Sequence, residues 1–334
     1  MSTEVLAAVR AVHIASTVAV AGAFAFRFLV LPMGAGRERR PFDGPALVVL
    51  RWIATWCAAA LGLALASWMA WLLLTASGMS GMSLAHAFDG GVLGTVLGRT
   101  TFGWVWIVRL ACMLALAVCL LVARQASGWG AAARADAIAA GLAVVLLVTL
   151  AGAGHAVGGS PSERLPHVAT DALHLLGAGA WLGALVPLLF VLSRARTTAE
   201  SAWLALAGVV TRRFSALGVA SVLLLLGSGL LNAGWLVGTW SALGDTMYGR
   251  LVALKIALFT LLVLIAAANR LWLTPRLGMP STRHRVVRTL WRNVVVELGV
   301  GVFVMAVVGV LGITPPAAHG HGGMTASGNE HTEH

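Results

Sequence analysis

Val168-Ala-Thr-Asp171-Ala-Leu-His174-Leu-Leu-Gly177-Ala-Gly179-Ala-Trp181-Leu-Gly183-Ala-Leu-Val-Pro-Leu-Leu-Phe-Val-Leu192 decides the fold. The stretch is almost wholly apolar and longer than the roughly 20 residues that carry a helix across the hydrocarbon core. Backbone amides in lipid must be satisfied within the segment, and the run is too long for a barrel strand, so it reads as a spanning helix. Seven more runs read the same way: Val5–Leu31, Trp52–Thr75, Phe102–Ala123, Ala135–Ala153, Phe214–Val237, Leu251–Leu273 and Leu290–Ile313. The expected fold is all-α, a polytopic membrane protein of eight transmembrane helices. Composition agrees: the chain is 59% hydrophobic and 10% charged, with a mean hydropathy of +0.89. Those values exclude a water-soluble globular class.

Arginine placement orients the helices. Arg37, Arg39, Arg40 and Arg51 lie in the first connection and Arg124 and Arg134 in the third. The fifth holds Arg194, Arg196, Arg212 and Arg213, and the seventh runs from Arg270 to Arg292 with four more arginines between. Odd connections are therefore cytoplasmic and both termini are expected outside, in the periplasm of a bacterium with two membranes. The net charge of +11 resides in these loops. No basic-aromatic face exists to read bases, so the expected partner is the lipid bilayer and not nucleic acid. Glu4 and the absence of a basic leader region make the first helix a retained one. Cys57, Cys112 and Cys119 lie inside apolar runs, which argues against a disulfide framework or a thiolate zinc site.

The chain repeats itself. His13 and Gly22 recur as His174 and Gly183, and Thr100-Thr-Phe-Gly103 with Arg109 recurs as Thr246-Met-Tyr-Gly249 with Lys255. The membrane domain, 1–315, thus divides into parallel four-helix halves of about 1–157 and 158–315, followed by a His-rich tail, 316–334. The first offset is 161 residues and the second 146, so the first half carries 15 extra residues. The long outer loop with Met79, Met82 and His86 is the natural place for them.

All histidines but His284 fall on the outer side of this topology. Spacings of three and four place Asp171, His174, Ala178 and Trp181 on one helical stripe. His13 carries Arg10 where His174 has Asp171, and an Arg10–Asp171 pair would draw the two histidines into a shared metal site. His155, between glycines at the end of the fourth helix, is placed to complete it. Met79, Met82 and His86 offer thioether and imidazole ligands that suit copper, and Met247 is a weaker candidate. His319 and His321, with His331 and His334 beyond, form a metal-capturing tail. Arg109 and Lys255 read as snorkelling cations, or as partners of Asp89, Asp171 or Asp245. Glu297 reads as an ion pair with Arg292, with proton coupling as its alternative. No nucleophile–base set, phosphate loop or dinucleotide fingerprint occurs, so no enzyme is expected.

At these residues the sequence resembles the CopD (PcoD-like) family of bacterial copper-resistance inner-membrane proteins. Leu173-His174-Leu-Leu-Gly-Ala-Gly-Ala-Trp181-Leu-Gly183-Ala-Leu185 carries most of the likeness. Thr100–Gly103 with Arg109, Gly154-His155-Ala156, and Tyr248–Leu251 with Lys255 support it. Val20 stands where the repeat has Trp181, a departure between the halves. The resemblance implies a copper-handling membrane protein that brings copper, as Cu(I) or Cu(II), inward with a separate periplasmic CopC-like partner. Two other readings stand beside it: a haem b electron-transfer protein, since paired histidines on facing helices ligate haem, and a non-transporting copper scaffold or sensor.

Overall fold

The computed structural model describes residues 3–32, 44–81, 90–126, 128–153, 161–198, 200–237 and 242–314. Among them every regular element is helical, and eight helical stretches are long and apolar enough to cross a membrane. The order is α1 (Thr3–Ala25), α2 (Pro45–Ser80), α3 (Gly90–Arg99), α4 (Thr101–Gln125), α5 (Trp129–Val148) and α6 (Pro161–Ala178). There follow α7 (Leu185–Thr197), α8 (Ser201–Val237), α9 (Ala242–Asp245), α10 (Met247–Ala268), α11 (Thr274–Arg276) and α12 (Arg283–Leu311). The fifth span is α6 and α7 joined through a π-helical turn, Gly179–Gly183. Similar turns at Phe26–Val30 and Asn269–Leu273 extend α1 and α10.

All eight expected spans are present, and several helices outrun their apolar cores. α2 begins at Pro45, where proline's fixed φ suits the first turn. It continues past Met79 to Gly81, whose φ of 68° stops it. The connection between the second and third spans therefore is not all loop: Met79 lies in the last turn of α2, and α3 occupies the end nearest α4.

The repeated threonines have a local purpose. Thr100 Oγ1 accepts from the Gly103 amide at 3.0 Å and Thr246 Oγ1 from the Gly249 amide at 2.9 Å. Each caps its helix and fixes how deep the following cation, Arg109 or Lys255, sits. α1 lies centrally, against α2, α5, α12 and the Gly179–Gly183 turn. Gly22 and Gly183, matched in the sequence, meet there: a Cβ on either would strike the other's backbone. Small residues permit this approach, as membrane helix contacts require. Apolar side chains such as Leu230, Leu264 and Val302 point outward, where lipid would solvate them.

Candidate functional site: two histidines facing cations

His13 is fully buried in the first half. Its Nδ1 lies 3.0 Å from the Ala64 carbonyl and 3.2 Å from Ser67 Oγ. A carbonyl only accepts, so Nδ1 carries the proton and Nε2 presents a lone pair. Arg109 Nη2 donates to that lone pair at 2.7 Å. Arg109 is itself fully buried, donating also to the Leu146 carbonyl at 2.6 Å and Thr149 Oγ1 at 2.8 Å. Trp68 stacks on the imidazole, centroids 4.6 Å apart, and lies 4.9 Å from the guanidinium carbon. Trp71 closes the edge at 5.8 Å. The snorkelling expected of Arg109 is thus corrected. Its charge stays inside because neutral acceptors and an indole face surround it.

His174 has a matching set of neighbours. Its Nδ1 is 3.0 Å from Ser228 Oγ, and Ser228 gives its own proton to the Leu224 carbonyl at 2.6 Å. Nδ1–H therefore donates, and Nε2 again offers a lone pair. Lys255 Nζ stands 3.5 Å from it, turned inward rather than outward. The separation His13–Ser67 is 54 residues and so is His174–Ser228. His13–Arg109 spans 96 residues against 81 for His174–Lys255. The extra 15 residues consequently lie between Ser67 and Arg109, the segment that includes α3.

The two sites differ in their walls. Counting 161 residues on, Trp68 becomes Gly229 and Trp71 becomes Asn232. A Cβ on Gly229 would sit 3.6 Å from His174 Cε1, so the second imidazole has open space where the first has an indole. Arg10 lies over Trp71 at 4.4 Å, whereas Asp171 accepts from Asn232 at 3.4 Å. The Arg10–Asp171 pair expected from the sequence does not form, because each is engaged by its own half's second helix.

The sequence comparisons follow this geometry. Residues 208–311 match the family pattern of copper resistance protein D, and residues 1–164 that of the copper resistance protein D-like N-terminal domain. Copper resistance protein D of Pseudomonas syringae pv. tomato is 30% identical over 222 residues, 65% of this chain and 70% of that protein. The chain belongs to the copper resistance protein D family. The inner membrane protein YebZ of Escherichia coli is 29% identical over 247 residues, covering 73% of this chain and 79% of its own. The copper transport protein CutJ of Bacillus subtilis is 28% identical over 269 residues, 80% of this chain but 46% of that longer protein. No solved structure matches. The family is one of copper resistance membrane proteins and not a known enzyme family.

For this family member the structure distributes the expected site residues unevenly. His13 and Arg109 are brought together, and so are His174 and Lys255, with Asp171 beside Asn232. Trp181 sits in the π-helical turn, where the wider turn breaks the stripe expected from Asp171 and His174. Met79 is exposed at the end of α2 and Met247 at the start of α10. Met82, His86, Asp89, His155, His319, His321, His331 and His334 lie outside the described residues. Among the described residues, no group of three or more His, Cys, Asp or Glu side chains draws together. Sequence reasoning passed over Ser67, Ser228 and Gly229, although the shared spacing of 54 was there to find.

Proposed function

We propose that the protein binds copper on its arginine-poor, outward face and carries it inward across the bacterial inner membrane, with His174 as the ligand at the head of the path. The observation that carries this is the pairing of an open flank at Gly229 with a bare imidazole nitrogen held only by a lysine at 3.5 Å. Copper takes imidazole nitrogen readily. A lysine can withdraw, or lose its proton, in favour of the metal, whereas an arginine stays charged. Asp171 acts electrostatically on Lys255 and gives the displaced ammonium somewhere to turn. The relatives named for copper resistance and copper transport support the same cargo.

In this reading Met79, Met82, His86 and His155 gather copper near the outer ends of the helices, and His319 and His321 raise its local concentration. A separate CopC-like protein would deliver it. His13 becomes a ligand only where Arg109 withdraws.

The test is copper binding by the purified protein, in competition with a Cu(I)-specific chelator, together with copper uptake in cells. His174→Ala is expected to lose at least tenfold in both while still inserting. A variant that binds and moves copper like the parent would place the site elsewhere.

A further inference from the structure

A second polar feature lies deeper in the second half, away from the histidines. A cavity of about 190 Å³ opens among α7, α8, α10 and α12. Glu297, 1% exposed, lines it. Oε1 accepts from Asn269 Nδ2 at 2.6 Å, and Asn269 Oδ1 accepts in turn from Asn293 at 2.7 Å. Oε2 has no hydrogen-bond partner. Trp181 Nε1 and Thr211 Oγ1 are likewise buried without partners, and both residues line the same cavity. The ion pair expected between Glu297 and Arg292 is not formed; five residues apart on one helix, they leave by different faces.

A carboxylate inside a membrane span is neutralised either by a cation or by a proton. The first half shows the first solution. Arg27 forms an ion pair with Asp136. Asp136 lies on α5 and Glu297 on α12, and Leu188, the residue 161 after Arg27, lines the Glu297 cavity. A leucine thus stands beside Glu297 where Asp136 has an arginine.

Among the described residues, the other charges on the surrounding helices, including the exposed Arg285 and Arg288 of α12, form no ion pair with Glu297. Arg194 and Arg196 on α7 lie over Trp203 and Trp291. Arg213 on α8 donates to the Leu31 carbonyl, and Arg270 after α10 to Ser215. Arg276 on α11 donates to the Trp272 carbonyl. Arg212 and Arg292 are exposed, and Lys255 is near the opposite end of α10.

We propose that Glu297 is a proton-binding site. Oε2 takes a proton from hydronium carried in water past Ser215, Asn269 and Thr274 at the arginine-rich end of the cavity. The carboxylate becomes a neutral acid and the hydronium becomes water; release reverses the step. The cavity offers the acid form an acceptor in the Thr211 hydroxyl, and the charged form a donor in the Trp181 indole. Coupling of this proton to copper movement rests on the function proposed above, but the protonation itself does not.

The experiment is an acid-minus-alkaline infrared difference spectrum of the purified full chain without copper. A protonated-carboxyl band is expected in the parent, lost in Glu297→Gln and displaced in Glu297→Asp. Leu188→Arg, which rebuilds the first half's ion pair, should also remove the band. No such band in the parent, or a band that persists in Glu297→Gln, would overturn the site. In liposomes, copper entry should move protons in the parent and not in Glu297→Gln. Proton movement unchanged in that variant would overturn the coupling. Copper movement absent from the parent, with the band intact, would instead defeat the transport reading alone.

Discussion

His13 and His174 share a pattern of partners, each with Nδ1–H directed at a serine and Nε2 facing a cation. The first is sealed: an arginine donates at 2.7 Å and an indole stacks at 4.6 Å. The second is open: a lysine stands at 3.5 Å and a glycine replaces the indole. The same contrast recurs below them, where Asp136 has its arginine and Glu297 does not. In the first half the imidazole and the acid each meet an arginine within hydrogen-bonding reach. The other half leaves such groups available, which allows chemistry.

The strongest way to break this comparison is to close the open site. Gly229→Trp installs the first half's indole beside His174. Copper uptake should fall to the level of cells lacking the protein, while membrane insertion, followed by immunoblot, is unchanged. Uptake near that of the parent would mean that the space beside His174 is not used.

A middle-sized effect separates the two cations. Arg109→Met leaves the His13 lone pair unsatisfied in the interior and should cost about 1–3 kcal/mol. Lys255→Met loses only a long contact next to open space and should cost no more than about 1 kcal/mol. Thermal unfolding in one detergent ranks them. If Lys255→Met is the more destabilising, the sealed and open descriptions must be exchanged. Lys255→Met should also hold copper more tightly than the parent, since the competing ammonium is gone.

The smallest effect lies in the serines. Among the described residues Ser228 is the hydrogen-bond partner of His174 Nδ1, whereas His13 Nδ1 also reaches the Ala64 carbonyl. Ser228→Ala should therefore cost about 0.5–1.5 kcal/mol and Ser67→Ala less, read from the same unfolding curves.

Much of this architecture is legible in the residues. Eight spans follow from hydropathy because lipid leaves the backbone no alternative to the helix. The repeat in His13/His174 and Gly22/Gly183 shows through because buried contacts constrain spacing more tightly than identity. What was hidden depended on direction. Nothing in the linear order tells that Arg109 turns inward, since its fate is set by acceptors on α1 and α5. Nearness along the chain pairs Glu297 with Arg292, while its actual partner, Asn269, comes from α10's extension. The asymmetry between the halves was also written in Trp68 and Gly229. It becomes visible only when the first two helices of each half are aligned on the histidines.

Gly22 and Gly183 bring two backbones together with no side chain between them. A crossing of this kind has no cogs. Rotating α1 against the α6–α7 span about that point unseats no interdigitated side chain there, so the resistance comes only from the neighbours on either side. The geometry is that of a scissor pin: whatever spreads the helices at the face bearing the histidines also spreads them at the face bearing the arginines.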